Sequence, residues 1–147
     1  MSNNPLANNT VHRRITLASR PVGAPVLENF QLQESPVVQP AAGQVLMRTL
    51  FLSLDPYMRG RMSDAPSYAA PVALGDVLVG GTIARVAASQ HPDFQAGDLV
   101  VGYGGWQEYA VVEGPALAML RKVDTRHVPM SAYLGAVGMP GVTAWVG

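Results

Sequence analysis

Residues 51–62 read Phe51-Leu-Ser-Leu-Asp-Pro-Tyr-Met-Arg-Gly-Arg-Met62, and this stretch sets the expected fold. An apolar strand end runs directly into Asp55, which can cap a helix, and Pro56, which is favoured at the first helical position. The stretch therefore predicts a strand followed by a short helical turn. Tyr57 would lie near the strand end, where clefts form and its phenol can donate a hydrogen bond at neutral pH. An equally weighted alternative is that Tyr57 packs at a corner and both arginines are solvated.

Short apolar runs rich in β-branched residues lie on both sides of this stretch. They are separated by glycine and proline, which number 15 and 12 in the chain. This pattern is typical of a mainly β domain. The candidate strands are residues 11–19, 30–34, 44–54, 77–88, 98–103, 107–112 and 117–123. Two runs, 51–54 and 77–79, are apolar on both faces, which predicts strands closed into a barrel or covered by another element.

Two more helical segments are expected near the end of the chain. Residues 131–137 start with a serine that can cap a helix, and Pro140 can open a second helix that runs to Gly147. That second segment has no polar face, and Trp145 and Val146 would be exposed on an isolated helix of this length. We therefore expect the element to continue into a second domain.

Length and charge exclude several classes of protein. A chain of 147 residues fits one domain, which buries roughly 68–70% of its unfolded surface. Ten Lys and Arg balance ten Asp and Glu, so the basic surface expected of a nucleic-acid-binding or polybasic membrane-surface protein is missing. No run of about 18 apolar residues predicts a membrane span. Only 14% of the residues are charged and 48% are hydrophobic, which suits a domain that packs against a partner.

The lack of cysteine bears on cellular compartment and on metal binding. Residues 1–9 carry neither a basic nor an apolar signal-peptide region and predict a flexible tail, so a cytoplasmic location is expected. His12, His91 and His127 show no metal-ligand spacing, so we expect no metal site and expect all three to be surface or loop residues. No nucleophile elbow occurs in the sequence, and its strand serine is interpreted as a packing residue.

Three glycine clusters resemble cofactor loops at first sight, namely Gly80-Gly81, Gly102-Tyr-Gly-Gly105 and Gly135-Ala-Val-Gly-Met-Pro-Gly141. None matches the dinucleotide-binding pattern G-x-G-x-x-G between a strand and a helix. The first two are typical of bulges or tight turns where two backbones approach closely. The third breaks one helix and starts another, and a plain helix–helix turn is favoured over a backbone surface pressed against a flat ring.

Three segments, taken together and in order, resemble one enzyme family. They are Phe51–Met62 as quoted above, Gly105-Trp-Gln-Glu-Tyr-Ala110 and Leu134-Gly-Ala-Val-Gly-Met-Pro-Gly-Val-Thr-Ala-Trp145. They are similar to the zinc-free medium-chain dehydrogenase/reductases of the leukotriene B4 dehydrogenase, prostaglandin reductase and curcumin reductase group, which includes plant double-bond reductases. The resemblance extends over the chain from about Val11 onward.

The resemblance implies a domain plan. Residues 10–130 would form a GroES-like, partly open β-barrel with short helices, the catalytic-side half of a two-domain reductase. Residues 131–147 would form a helical segment that leads into a Rossmann domain, which is missing here and would hold most of the NADPH site. In this family the full-length protein is usually a homodimer.

The resemblance also implies a reaction, the NADPH-dependent reduction of the carbon–carbon double bond of an α,β-unsaturated ketone or aldehyde without a metal. Hydride is added to the β-carbon, and the enolate-like oxygen that results is stabilised by hydrogen-bond donors. By position, the chain would contribute one substrate-binding residue, Tyr57, and three cofactor-binding residues, Pro56, Met139 and Thr143. The proton donor would lie beyond Gly147, so no catalytic residue is assigned within this chain.

Two features modify that expectation. Gly81 stands where some plant members carry an aromatic residue that contacts substrate, which predicts a wider pocket. Arg59 and Arg61 are expected to anchor the turn or a domain interface rather than to take part in chemistry. The alternative from another class is a stand-alone GroES-like domain that binds a small molecule or a partner without catalysis, which requires Gly147 to be the natural terminus.

Overall fold

The computed structural model describes residues 10–147, so the tail expected over residues 1–9 lies outside the described part. The strands are β1 (Val11–Leu17), β2 (Phe30–Pro36), β3 (Val45–Leu52), β4 (Thr82–Ser89), β5 (Leu99–Gly102), β6 (Tyr109–Val112) and β7 (Arg121–Lys122). The α-helices are α1 (Tyr57–Arg61) and α2 (Met139–Val146), and 3₁₀ turns occupy Leu27–Asn29, Gly114–Met119 and Met130–Leu134. The predicted mainly β class with short helices is confirmed.

The strands form two antiparallel sheets. β1 pairs with β2 over its whole length, and the larger sheet has the strand order β6-β3-β4-β5-β7. β1 also reaches the larger sheet region through single bridges from Arg14 to Gln107 and from Thr16 to Val77. The amide N–H of Ile15 donates to the carbonyl of Trp106 at 2.8 Å, which continues the same contact. These contacts link the smaller sheet to the segments that precede β4 and β6 of the larger sheet, without joining the two into one continuous sheet.

The core lies on both faces of β3. Val45 and Met47 pack with β4 residues such as Val86, and Leu46 points to the opposite face, where it packs with Tyr109. All three β3 residues are at most 1% exposed. Alternate side chains of a strand point to opposite faces, so the first three residues of β3 are covered on both sides.

Three predicted boundaries were wrong. Residues 77–88 were expected to form one strand, but β4 begins only at Thr82 because the preceding glycines leave the ladder to meet another turn. Residues 117–123 were expected to be a strand, but a 3₁₀ turn with proline in its first turn occupies Gly114–Met119 and only β7 remains extended. The helix expected over residues 131–137 is a single 3₁₀ turn, Met130–Leu134.

The first two glycine clusters meet each other. The amide N–H of Gly105 donates to the carbonyl of Gly80 at 3.1 Å. A Cβ on Gly80 would lie 2.7 Å from Cδ1 of Leu52, and Gly105 has a φ of 75° with its own Cβ position 2.7 Å from the carbonyl oxygen of Leu78. Gly105 must therefore lack a side chain, whereas a Cβ at position 80 would require the end of the Leu52 side chain to shift. The expected close approach of backbones is confirmed.

The expectation for His12 was wrong. This residue lies in β1 and is 8% exposed, and its Nδ1 accepts a hydrogen bond from the amide of Tyr109 at 3.3 Å. The imidazole is buried because it satisfies a main-chain donor of β6 where the two sheets meet. His91 and His127 lie outside the named strands and helices, in loops as expected.

The run 51–54 is not covered within residues 10–147. Phe51 is 45% exposed and Leu54 is 69% exposed, because β3 ends at Leu52 and the chain leaves the sheet before α1. No helix between residues 10 and 147 has the length and apolar character needed to cross a membrane.

Candidate functional site

The turn that carries Tyr57 is held by main-chain hydrogen bonds. The carbonyl of Asp55 accepts from the amide of Met58 at 3.1 Å, and the carbonyl of Pro56 accepts from the amide of Arg59 at 3.2 Å. No side chain caps the helix, which begins at Tyr57, one residue later than the predicted capping pattern requires. Proline just before the helix fixes φ near the helical value, so the strand turns into α1 without a cap.

Arg59 fastens this turn to a distant loop. Its guanidinium donates to the carbonyls of Pro21 and Gly23 at 3.1 and 2.8 Å and to the hydroxyl of Ser63 at 2.7 Å. The predicted anchoring role is therefore confirmed for Arg59. Arg61 is half-buried, and its Nε has no hydrogen-bond partner within residues 10–147.

The opposite wall depends on the third glycine cluster. A Cβ on Gly138 would lie 2.2 Å from the carbonyl oxygen of Tyr133, and one on Gly141 would lie 1.9 Å from that of Ala136. The two glycines therefore allow the 3₁₀ turn and α2 to approach each other closely. The favoured interpretation as a turn between two helical segments is confirmed.

All four residues assigned to the site by the sequence line one cleft of about 570 Å³. Pro56 and Tyr57 lie on the α1 side, whereas Met139 and Thr143 come from the first turns of α2. Gly81 lines the same cleft. A volume of this size is typical of sites that hold a small ligand or part of a cofactor.

The phenol of Tyr57 is suited to donate a hydrogen bond. Burial raises its pKa above the ordinary value, the negative charge of Asp55 and the neighbouring Tyr103 raise it further, and Arg61 acts in the opposite direction. The hydroxyl therefore keeps its proton at neutral pH. Tyr57 is half-buried, and none of the hydrogen bonds formed within residues 10–147 uses its hydroxyl.

Gly81 keeps part of the cleft empty. A Cβ at this position would meet only Cδ2 of Leu134, at 3.6 Å, which is ordinary van der Waals contact. Neither the backbone conformation nor a close neighbour requires glycine here, in contrast to Gly105. The missing side chain therefore enlarges the cleft, as the comparison with an aromatic residue at this position predicts.

The sequence did not identify three other cleft residues, Tyr103, Tyr133 and Arg121. The phenol of Tyr133 donates to the carbonyl of Asp124 at 2.8 Å, so this side chain is held in place. Tyr103 is 60% exposed and lies inside the second glycine cluster. Each of the two tyrosines had its own signal in the sequence. Tyr103 lies between two glycines, and Tyr133 is an aromatic residue near the end of the chain.

The cleft also offers a surface for a flat ring. Pro56, Met139 and Pro140 present apolar groups to it, and the hydroxyl of Thr143 donates to the carbonyl of Met139 at 2.9 Å. Apolar groups on a concave surface of this kind can pack against one face of a planar ring. Within the described residues, no group of three or more His, Asp or Glu side chains is placed to share a metal ion.

Comparison with known proteins finds a matching family and similar enzymes. Residues 13–120 match the family described as the N-terminal domain of oxidoreductase. The chain is 58% identical over 136 residues to the NADPH-dependent curcumin reductase of Escherichia coli strain K12, with 92% of this chain and 39% of that protein covered. It is 34% identical over 146 residues to the NADP(+)-dependent 2-alkenal reductase of Nicotiana tabacum, with 97% and 42% covered.

The chain is also similar to a solved structure. CurA of Vibrio vulnificus in complex with NADPH is 50% identical to the chain and superposes with a TM-score of 0.82, covering 91% of this chain and 39% of CurA. The chain thus spans about two fifths of the length of the proteins that it matches. The chain belongs to the family of oxidoreductase N-terminal domains, within the zinc-free medium-chain dehydrogenase/reductase group that its three segments resemble.

Proposed function

We propose that this chain is the substrate-side domain of an NADPH-dependent oxidoreductase that reduces the carbon–carbon double bond of α,β-unsaturated ketones and aldehydes without a metal. The observation that carries the proposal is that Pro56, Tyr57, Met139 and Thr143 line a single cleft. The names of the similar curcumin and 2-alkenal reductases support an unsaturated carbonyl compound as substrate.

Tyr57 has the role of binding the substrate carbonyl. Reduction at the β-carbon places negative charge on the carbonyl oxygen, and a hydrogen-bond donor directed at that oxygen lowers the barrier. The raised pKa of Tyr57 keeps its phenol protonated for this purpose. The half-buried position of the ring makes such a hydrogen bond stronger than it would be in water.

Pro56, Met139 and Thr143 have the role of holding the nicotinamide ring. When bound, NADPH would supply the hydride that reduces the substrate. The apolar groups of Pro56 and Met139 exclude water from one side of the ring, and the hydroxyl of Thr143 is already oriented by its bond to Met139. Since that hydroxyl donates its proton to a main-chain carbonyl, its oxygen is available to accept a hydrogen bond from the carboxamide.

Several parts of the proposal concern sequence beyond the described residues, or the assembly, location and partners of the whole protein. The proton donor, the remainder of the NADPH site and the Rossmann domain are assigned to sequence beyond Gly147. The division into a barrel at residues 10–130 and a connecting helical segment at 131–147 stays a prediction. So do the homodimer, the cytoplasmic location and the lack of nucleic-acid and membrane partners.

The test uses the protein that contains this chain, as its source cell makes it. We expect an intact mass near twice 15.6 kDa or above, and NADPH oxidation with 4-phenyl-3-buten-2-one that yields the saturated ketone. The saturated ketone 4-phenyl-2-butanone serves as control substrate and should not be reduced. A native product of 15.6 kDa that binds the enone without consuming NADPH would instead support the stand-alone binding module.

A further inference from the structure

A second cavity lies next to the cleft and shares only Asp55 and Pro56 with it. Its volume is about 340 Å³, which is within the range of small-molecule sites. We propose that this cavity is a second binding site and that it takes a planar, uncharged aromatic molecule. The proposal does not rest on the reductase activity, because none of its other walls belongs to the cleft.

The walls of this second cavity suit an aromatic ring. Phe30 and Trp106 both line it, and their rings are nearly parallel, with an interplanar angle of 9° and centroids 6.0 Å apart. Met58 in α1 and Met62, the residue that follows this helix, also line the cavity. Thioether sulfur atoms make favourable contacts with aromatic rings and adapt to irregular shapes. Two aromatic rings and two thioether groups therefore form part of the wall of the cavity.

The rim of the cavity is fixed by hydrogen bonds. Arg59, a lining residue, bonds to the carbonyls of Pro21 and Gly23, and Nη1 of Arg20 donates to the carbonyl of Met62 at 2.9 Å. These bonds tie the loop that contributes Pro25 to the helix that contributes the methionines. Because the rim is already ordered, a ligand does not have to order it on binding.

Charge decides what kind of aromatic molecule fits. Among the residues that line the second cavity, the charged ones are Asp55 and Arg59. All three guanidinium nitrogens of Arg59 donate, forming four hydrogen bonds to main-chain carbonyls and a serine hydroxyl, so its guanidinium is committed to the protein. The carboxylate of Asp55 repels an anion. An anionic ligand is therefore disfavoured, and the apolar walls favour a neutral one.

The test uses the neutral fluorescent ketone 6-propionyl-2-(dimethylamino)naphthalene, titrated against the protein that contains this chain. Leu54 lines the cavity and is 69% exposed, so Leu54→Asp adds a charge to the rim without removing a buried contact. We expect it to weaken binding about tenfold, since a carboxylate beside an apolar ligand is poorly solvated. Leu74→Asp is the matched control, because Leu74 is 58% exposed and lines neither cavity, and it should leave binding unchanged.

A second pair of variants assigns the probe to one cavity. Val79→Phe fills the second cavity and should abolish binding, whereas Gly81→Leu fills the cleft and should leave binding unchanged. Circular dichroism checks that Val79→Phe folds, and Leu54→Asp carries the test if it does not. The proposal is overturned if the chain shows no saturable binding, if Gly81→Leu abolishes it, or if Leu54→Asp and Leu74→Asp have equal effects.

Discussion

The β3–β4 core and the cleft are both rich in apolar residues, but they differ in how far these residues are exposed to solvent. Met47, Ile83 and Val86 in the core are at most 1% exposed, whereas Met139 in the cleft wall is 70% exposed. Buried apolar area stabilises the fold, and exposed apolar area in a concave surface is available to a ligand. Composition alone therefore does not separate residues that hold the fold from residues that are available to a ligand.

The largest expected effect sharpens this contrast in stability. Met47→Ala should lower the free energy of unfolding by roughly 2–5 kcal/mol, because it removes buried contacts and leaves a cavity. Met139→Ala is the matched change in the cleft and should alter the same free energy by less than about 0.5 kcal/mol. Urea unfolding followed by circular dichroism measures both. Equal losses would mean that α2 is as much a part of the core as β3.

The second prediction reverses the contrast and concerns activity. In the enzyme that contains this chain, Tyr57→Phe should lower kcat/KM for an enone roughly 10²-fold, because it removes a hydrogen-bond donor at the carbonyl. Its free energy of unfolding should stay within about 0.5 kcal/mol of wild type. Tyr68→Phe, at a side chain that is 86% exposed, is the control and should change neither quantity. Unchanged kinetics with lower stability would favour the corner-packing alternative for Tyr57.

The third prediction concerns a substitution that disturbs the cleft at a residue that does not line it. Gly141→Ala places a methyl group 1.9 Å from the carbonyl oxygen of Ala136, so the turn before α2 must open. We expect faster hydrogen exchange at the amide of Val142, which donates to Gly138, and a loss of roughly 1–3 kcal/mol. Gly60→Ala, which meets nothing within 4 Å, should be neutral or slightly stabilising. Protection at Val142 that survives in Gly141→Ala would show that the turn is looser than the contacts indicate.

The smallest expected effect concerns pH and the sheet junction. Burial, followed by the charge of Arg14, holds the pKa of His12 below its ordinary value of 6.5, while Glu108 and Gln107 act in the opposite direction. Above pH 6.5 both the folded and unfolded states carry a neutral imidazole, so the stability is complete. As pH falls below 6.5, the unfolded chain binds the proton first and stability decreases until the pKa of the folded state has been passed.

Urea unfolding between pH 5.5 and 8 measures this decrease. His12→Asn keeps an acceptor for the amide of Tyr109 but does not titrate, so its stability should vary less with pH than that of wild type. His127→Asn is the control at an exposed loop position and should retain the wild-type dependence. A wild-type profile that stays flat between pH 8 and 5.5 would count against a neutral, buried His12.

The sequence was a reliable guide where the structure depends on local pattern. The apolar run of β3, the turn at Asp55–Pro56 and the helical break at Gly138 were all predicted, because strand alternation, proline and glycine act within a few residues. The position of His12 was not predictable in this way. Its burial depends on Tyr109, a partner 97 positions away, and no local pattern reports such a contact.

The candidate site follows the same division. The residue types at Tyr57 and Thr143 were identified by sequence resemblance, but only the fold brings α1 and α2 to one cleft. The strand predicted over residues 77–88 failed for the same reason. The two glycines inside it interrupt the ladder because they meet Gly105 in space, and a period-two pattern does not show that.

The two tryptophans give the molecule a pair of built-in optical reporters. Trp106 is half-buried against Phe30, and its indole Nε1 has no partner within residues 10–147, whereas Trp145 is 90% exposed on α2. An indole in an apolar setting emits at shorter wavelength than one in water. One emission spectrum therefore reports separately on the aromatic cavity and on the end of α2, and burial of Trp145 would shift only the long-wavelength component.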